Sequence, residues 1–144
     1  MTPTIVRGLA GGFLQEIEAG GHQLIADEPV AAGGTDQGPG PYELLLAALG
    51  ACTSMTVSMY ARRKNWPLEN VEVRLTHAKV YAQDCSDCET RQGSIEEIRR
   101  ELVLSGPLNE EQREKLLEIA QQCPVHRTLT SEIKIRTRLA SGTS

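Results

Sequence analysis

Four cysteines are the residues of this chain best suited to covalent or metal chemistry: Cys52 in PGPYELLLAALGAC, Cys85 and Cys88 in YAQDCSDCET, and Cys123 in QQCPVHRTL. A thiolate attacks electrophiles, holds metals or joins a second sulfur, and its setting decides which. Leu45, Ala48, Cys52, Met55 and Met59 follow one another at helical spacings of three and four, which places Cys52 in an apolar seam. There a cysteine packs as a small hydrophobe unless other segments bring in a cation or hydrogen-bond donors for the thiolate. Cys123 closes one helical stretch and precedes Pro124, which marks a new start, with His126 and Arg127 close in sequence. A helix start with cationic neighbours favours a thiolate, while a boundary cysteine packed under the last strand is the competing reading.

Cys85 and Cys88 form a C-x-x-C pair in a loop, with Asp84, Asp87 and Glu89 around it. That negative charge disfavours thiolates and argues against a thioredoxin-type centre. As half a zinc knuckle the pair needs further ligands, from His77 or from the same pair of a second subunit. His22 and His77 lie in strand-like segments and read as structural residues. No Ser-His-Asp spacing, glycine-rich phosphate loop or paired-carboxylate motif stands out, so hydrolase and kinase chemistries lack support.

These residues must be positioned by a chain of 144 residues, the size of one domain with a real core, and one domain over residues 1–144 is expected. The net charge of −4 gives no electrostatic footprint for nucleic acid, and one Phe, one Trp and three Tyr leave little for base stacking. The amino-terminal stretch lacks the basic start and apolar run of a secretory signal, which points to the cytosol and to thiols that are reduced at rest. The apolar run from Tyr42 to Ala61 carries Glu43, Thr53, Ser54, Thr56 and Ser58, and reads as a buried helix and not a membrane span.

Short segments at Thr4–Leu9, Phe13–Glu18 and His22–Ala26, separated by glycine pairs, suit an antiparallel meander. The stretch from Ala31 to Pro41 is a loop by composition, and Pro41 opens a helix that runs to about Lys64, roughly 35 Å at 1.5 Å per residue. Leu44 to Leu49 are apolar on every side of that helix, more than a chain of this size covers alone, so a partner subunit is expected to complete the cover. The alternation from Val71 predicts a strand, whereas Ser94–Leu104 fits helix or strand. Asn109 and Gln112 form a capping-box pattern before a helix, and EIKIRTRL (residues 132–139) alternates as a last strand. The order makes an α+β domain.

The segment PYELLLAALGACTSMT, ending at Thr56, together with CPVHRTL from Cys123, resembles the OsmC/Ohr family of thiol peroxidases over nearly the whole chain. The resemblance implies an antiparallel sheet wrapped around a long central helix in an intertwined homodimer, with active sites at the subunit interface. It also turns Ser94–Leu104 into a strand. In such proteins the cysteine matching Cys52 attacks the O–O bond of an organic hydroperoxide, the one matching Cys123 closes a disulfide, and a dithiol reductant reopens it. An acid directly after the helix-opening proline and an Arg in the preceding loop usually support the attacking cysteine. Here Tyr42 holds the acid's place, Glu43 follows one step later on another side of the helix, and residues 26–37 contain no basic residue. Tyr42, Glu43, Arg7, His126 and Arg127 are therefore the candidate supporting residues. The implied partners are a second copy of the chain, an organic hydroperoxide or another small apolar electrophile, and a dithiol, without nucleic acid, membrane or cofactor. The alternative is a ligand-binding, or redox- or metal-sensing, module of this type without turnover, which would use Cys85 and Cys88.

Overall fold

The structure, a computed structural model, describes residues 2–141. Its elements follow in the order β1 (Ile5–Gly8), β2 (Gln15–Ala19), β3 (His22–Ala26), α1 (Pro41–Arg63), β4 (Asn70–Tyr81), β5 (Ser94–Ser105), α2 (Glu110–Ala120) and α3 (Pro124–Leu129). The chain divides into two compact units, one built from the residues up to Ala48 with Leu75–Arg100, the other from Leu49–Arg74 with the residues from Glu101 onward.

In the first unit β1, β2 and β3 form the expected antiparallel meander, with Val6 opposite Ile17 and Ile17 opposite Leu24. The β2–β3 turn is Gly20-Gly21, both at positive φ (59° and 81°), which glycine adopts without steric cost and which matches the twist of a tight hairpin. The loop after β3 is organised by Asp27. Its buried carboxylate accepts hydrogen bonds from the Thr35 hydroxyl at 2.6 Å and from the backbone N–H groups of Glu28, Thr35 and Gln37 at 2.7, 3.2 and 3.1 Å. The Thr35 hydroxyl first, and then these N–H groups, hold the carboxyl below its ordinary value of 3.8. A carboxyl depressed in the folded state contributes stability that is present above its unfolded pKa and is lost as pH falls through the folded one. Thermal melts between about pH 5 and pH 2 should therefore fall more steeply for the wild type than for Asp27→Asn; parallel curves would remove this role.

The loop delivers the chain to Gly40-Pro41. Leu44 N–H donates to the Gly40 carbonyl at 3.0 Å, and Glu43 reaches back to accept the Gly40 N–H at 2.9 Å, the carboxylate half of a capping box. At its other end α1 stops where Asn65 takes a left-handed conformation (φ 56°) and Trp66 N–H bonds the Ala61 carbonyl at 2.9 Å.

The second unit carries the main core: Val57 and Ala61 from α1, Leu108, and Leu116 and Ala120 from α2, with Tyr60, Trp66, Leu68, Val71, Leu102 and Leu104 packed against them. Asn109 caps α2 in a complete capping box with Gln112, as its spacing predicts. Gly106, at φ 123°, lets the backbone pass so close to the Pro67 carbonyl that a Cβ would collide with it.

The expected strand from Val71 is found as β4, and β5 settles Ser94–Leu104 as strand. Backbone bonds from Glu69 N–H to Ser105 and from Ala82 N–H to Gly93 mark the two ends of their antiparallel pairing. One expectation needs correcting. Residues 132–139 form no strand; their side chains are exposed, up to 95% at Leu139. Alternation supplies two faces but no hydrogen-bonding neighbour, and among the described residues no strand pairs with the segment.

Candidate functional site

Cys52 and Cys123 both belong to the second unit. Cys52 stands on α1, half-buried, with a free thiol. The buried stripe of the helix is Leu49, Gly50, Thr53, Val57 and Ala61, not the seam that contains Cys52. Leu45 and Met59 of that seam are exposed, and Met55 is 71% exposed. The sequence reading placed Cys52 on an apolar face correctly, but within one chain that face is open. The cause is that α1 is apolar on two sides, and the stripe at four-residue spacing is the one that α2 and Leu108 fill.

Cys123 is fully buried and forms the N-cap of α3, with Pro124 as its first residue. Its Sγ accepts the His126 backbone N–H at 3.4 Å and lies 3.7 Å from Thr53 Oγ1. The Thr53 hydroxyl donates to the Leu49 carbonyl at 2.7 Å, which leaves its oxygen to accept from the Cys123 thiol. Thr53 is the residue after Cys52, so the second thiol is held against the turn of helix that carries the first. Sequence reasoning missed this threonine. Its signal was available: a hydroxyl four residues from both Leu49 and Val57 is set among apolar positions of one helical face, where it can bond the carbonyl one turn back.

His126 and Arg127 follow Cys123 on α3, His126 half-buried and Arg127 exposed. The remaining candidates lie in the first unit, each with a local partner. Arg7 pairs with Glu18 across β1 and β2 at 3.3 Å. Glu43 is engaged with Gly40 at the helix start. Tyr42 stacks on His77 with ring centroids 4.6 Å apart and planes 9° from parallel, and His77 Nε2 lies 3.6 Å from Glu96 Oε2. His77 is thus a partner of the residue that stands in the acid's place, not only a strand residue.

Cys85 and Cys88 correct a second expectation. They are joined in a disulfide with their Cα atoms 5.5 Å apart, where reduced thiols were expected. The C-x-x-C spacing within one tight loop brings the sulfurs together, and the inferred compartment carries no information about that geometry.

A family model for the OsmC-like protein matches residues 34–138. No curated protein sequence matches the chain significantly. Among solved structures, the chain is similar to an organic hydroperoxide resistance protein OsmC from Legionella pneumophila, at 22% identity and a TM-score of 0.63, over 90% of each chain. It is similar to an OsmC-like protein from Mycoplasma pneumoniae at 22% identity and a TM-score of 0.62, over 81% of this chain and 78% of that one. An OsmC-like protein of unknown function from Vibrio cholerae gives 17% identity and a TM-score of 0.65 over 92% and 96%. At these identities the likeness establishes the fold, an α+β arrangement of antiparallel sheets and one long helix.

Proposed function

The chain belongs to the OsmC-like protein family, and from that membership we propose that it reduces organic hydroperoxides by a two-cysteine cycle, as a cytoplasmic homodimer in oxidative stress defence. The observation that carries the reading is the placement of Cys123 against Thr53, next to a half-exposed Cys52 on the same helix.

In this cycle the Cys52 thiolate attacks one oxygen of ROOH, the O–O bond breaks, and RO⁻ takes a proton to leave as an alcohol. Cys52 is then a sulfenic acid. The Cys123 thiol condenses with it, expelling water and forming a disulfide, and a dithiol reduces that disulfide by exchange while becoming a disulfide itself. Protection of Cys123 in the core suits a resolving thiol, and the accessibility of Cys52 suits an attacking one. His126 and Arg127 are the cationic candidates on the element that Cys123 caps, and Arg7, Tyr42 and Glu43 are candidates from the first unit.

Dimer formation accounts for two otherwise exposed apolar features: the Leu45, Met55 and Met59 seam of α1, and Ile133, Ile135 and Leu139 on the alternating carboxy-terminal segment. A second copy covering them would also close an apolar setting over Cys52, suited to organic peroxides in preference to hydrogen peroxide. The test joins size and turnover. Light scattering should give twice 15.7 kDa, and the dimer should consume cumene hydroperoxide catalytically with a dithiol. A monomer, or a dimer without turnover, contradicts the proposal and would favour the non-catalytic module.

A further inference from the structure

The loop between β4 and β5 holds a constellation that the peroxide cycle does not use. Cys85 Sγ lies 3.2 Å from Asp87 Oδ1, and the ligand atoms of Cys85, Asp87 and Cys88 all lie within 4.8 Å of one another. Both cysteines are half-buried and Asp87 is exposed, so the cluster can be reached from solvent. Two thiolates and a carboxylate are a ligand set that suits zinc, and a tetrahedral zinc with Zn–S of about 2.3 Å and Zn–O of about 2.0–2.2 Å needs donor separations of roughly 3.5–4 Å. Opening the disulfide moves the sulfurs apart toward that spacing.

We propose that the reduced Cys85/Cys88 pair, with Asp87, is a zinc site that the disulfide closes. The charge around it selects this use over thiol catalysis. Asp84, Asp87 and Glu89 disfavour free thiolates, which makes the pair a poor nucleophile, but a divalent cation reverses that balance by compensating both thiolates and the carboxylate. A reductant, a dithiol in the cell or a phosphine in the test, supplies two electrons and, with two protons, converts the disulfide to two thiols; the phosphine leaves as its oxide, with oxygen from water. Zinc then displaces two protons as it binds, and water fills the fourth position. A hydroperoxide then oxidises the two thiolates to the disulfide and is itself reduced, taking up two protons, to an alcohol and water, which removes both sulfur ligands and releases the metal. The loop would thus report redox state independently of Cys52.

The test uses the full chain, reduced with a phosphine and then freed of metal and reductant under anaerobic conditions. Reduced protein should bind one zinc per chain, and with cobalt(II) it should show a thiolate charge-transfer band, whereas unreduced protein should show neither. Both signals should vanish in Cys85→Ser/Cys88→Ser, whose circular dichroism and hydroperoxide turnover should match the wild type. Asp87→Asn should weaken zinc binding about tenfold or more, the scale of losing a group that tunes a metal site. No zinc in the reduced wild type, or a band that survives in the double variant and so comes from Cys52 or Cys123, would overturn the proposal. Either result leaves the peroxide cycle to be judged by its own turnover assay.

Discussion

Cys52→Ser is expected to lower dithiol-dependent hydroperoxide turnover by about 10³-fold or more, the scale seen when a nucleophile is removed from a catalytic unit. Serine keeps the size of the side chain but offers an alcohol that is hardly ionised at neutral pH and does not form a sulfenic acid. Cys52 is half-buried on an apolar seam, so the substitution should cost little stability, and loss of activity with an unchanged melting temperature would separate chemistry from folding. Cys123→Ser should behave differently. Its first peroxide is reduced at a rate near that of the wild type, after which Cys52 remains a sulfenic acid that a dimedone-type probe can trap. Turnover surviving in Cys52→Ser would remove the proposed cycle whatever its partner variant does.

The second large effect concerns the scaffold that holds the two thiols. Leu116→Ala is expected to destabilise the protein by about 3 kcal/mol and to lower Tm by roughly 10 °C. Leu116 is fully buried in the cluster with Val57, Ala61, Leu108 and Ala120, where α2 meets the same stripe of α1 that contains Thr53. Truncation leaves a cavity whose lining loses its contacts outright. Leu117, the next residue, is half-exposed, and its change to alanine should cost within about 0.5 kcal/mol. Equal losses for the two variants, measured by denaturant unfolding, would contradict the packing of α2 described above.

Much of the scaffold was legible because local chemistry and global structure agree. The Asn109 and Gln112 pair announces α2, the glycine pair at Gly20-Gly21 announces the β2–β3 turn, and Pro41 announces α1. The illegible parts share one cause, dependence on groups distant in sequence. More than one face of α1 is apolar, so the pattern does not say which of them packs within the chain, and α2 packs on the face holding Thr53 and Val57. The segment 132–139 has a strand's period but lacks a neighbouring strand among the described residues. Glu43 was legible as a first-turn acid, and the structure gives it the Gly40 N–H. The stacking of Tyr42 on His77 joins residues 35 apart and has no local signature. Of the candidate site, the two motif cysteines could be named from sequence, whereas Thr53 was legible only as a hydroxyl on an apolar helical face, because its contact with Cys123 depends on where that residue arrives.

In the proposed cycle Cys52 is oxidised first and Cys123 resolves it. The most direct test of this order is peptide mapping by mass spectrometry after one equivalent of cumene hydroperoxide is added to reduced protein and the free thiols are then blocked. A Cys52–Cys123 disulfide is expected as the main product, absent from the unexposed control. Cys52 recovered as a blocked thiol, or oxidised to sulfinic acid while Cys123 stays reduced, would contradict it.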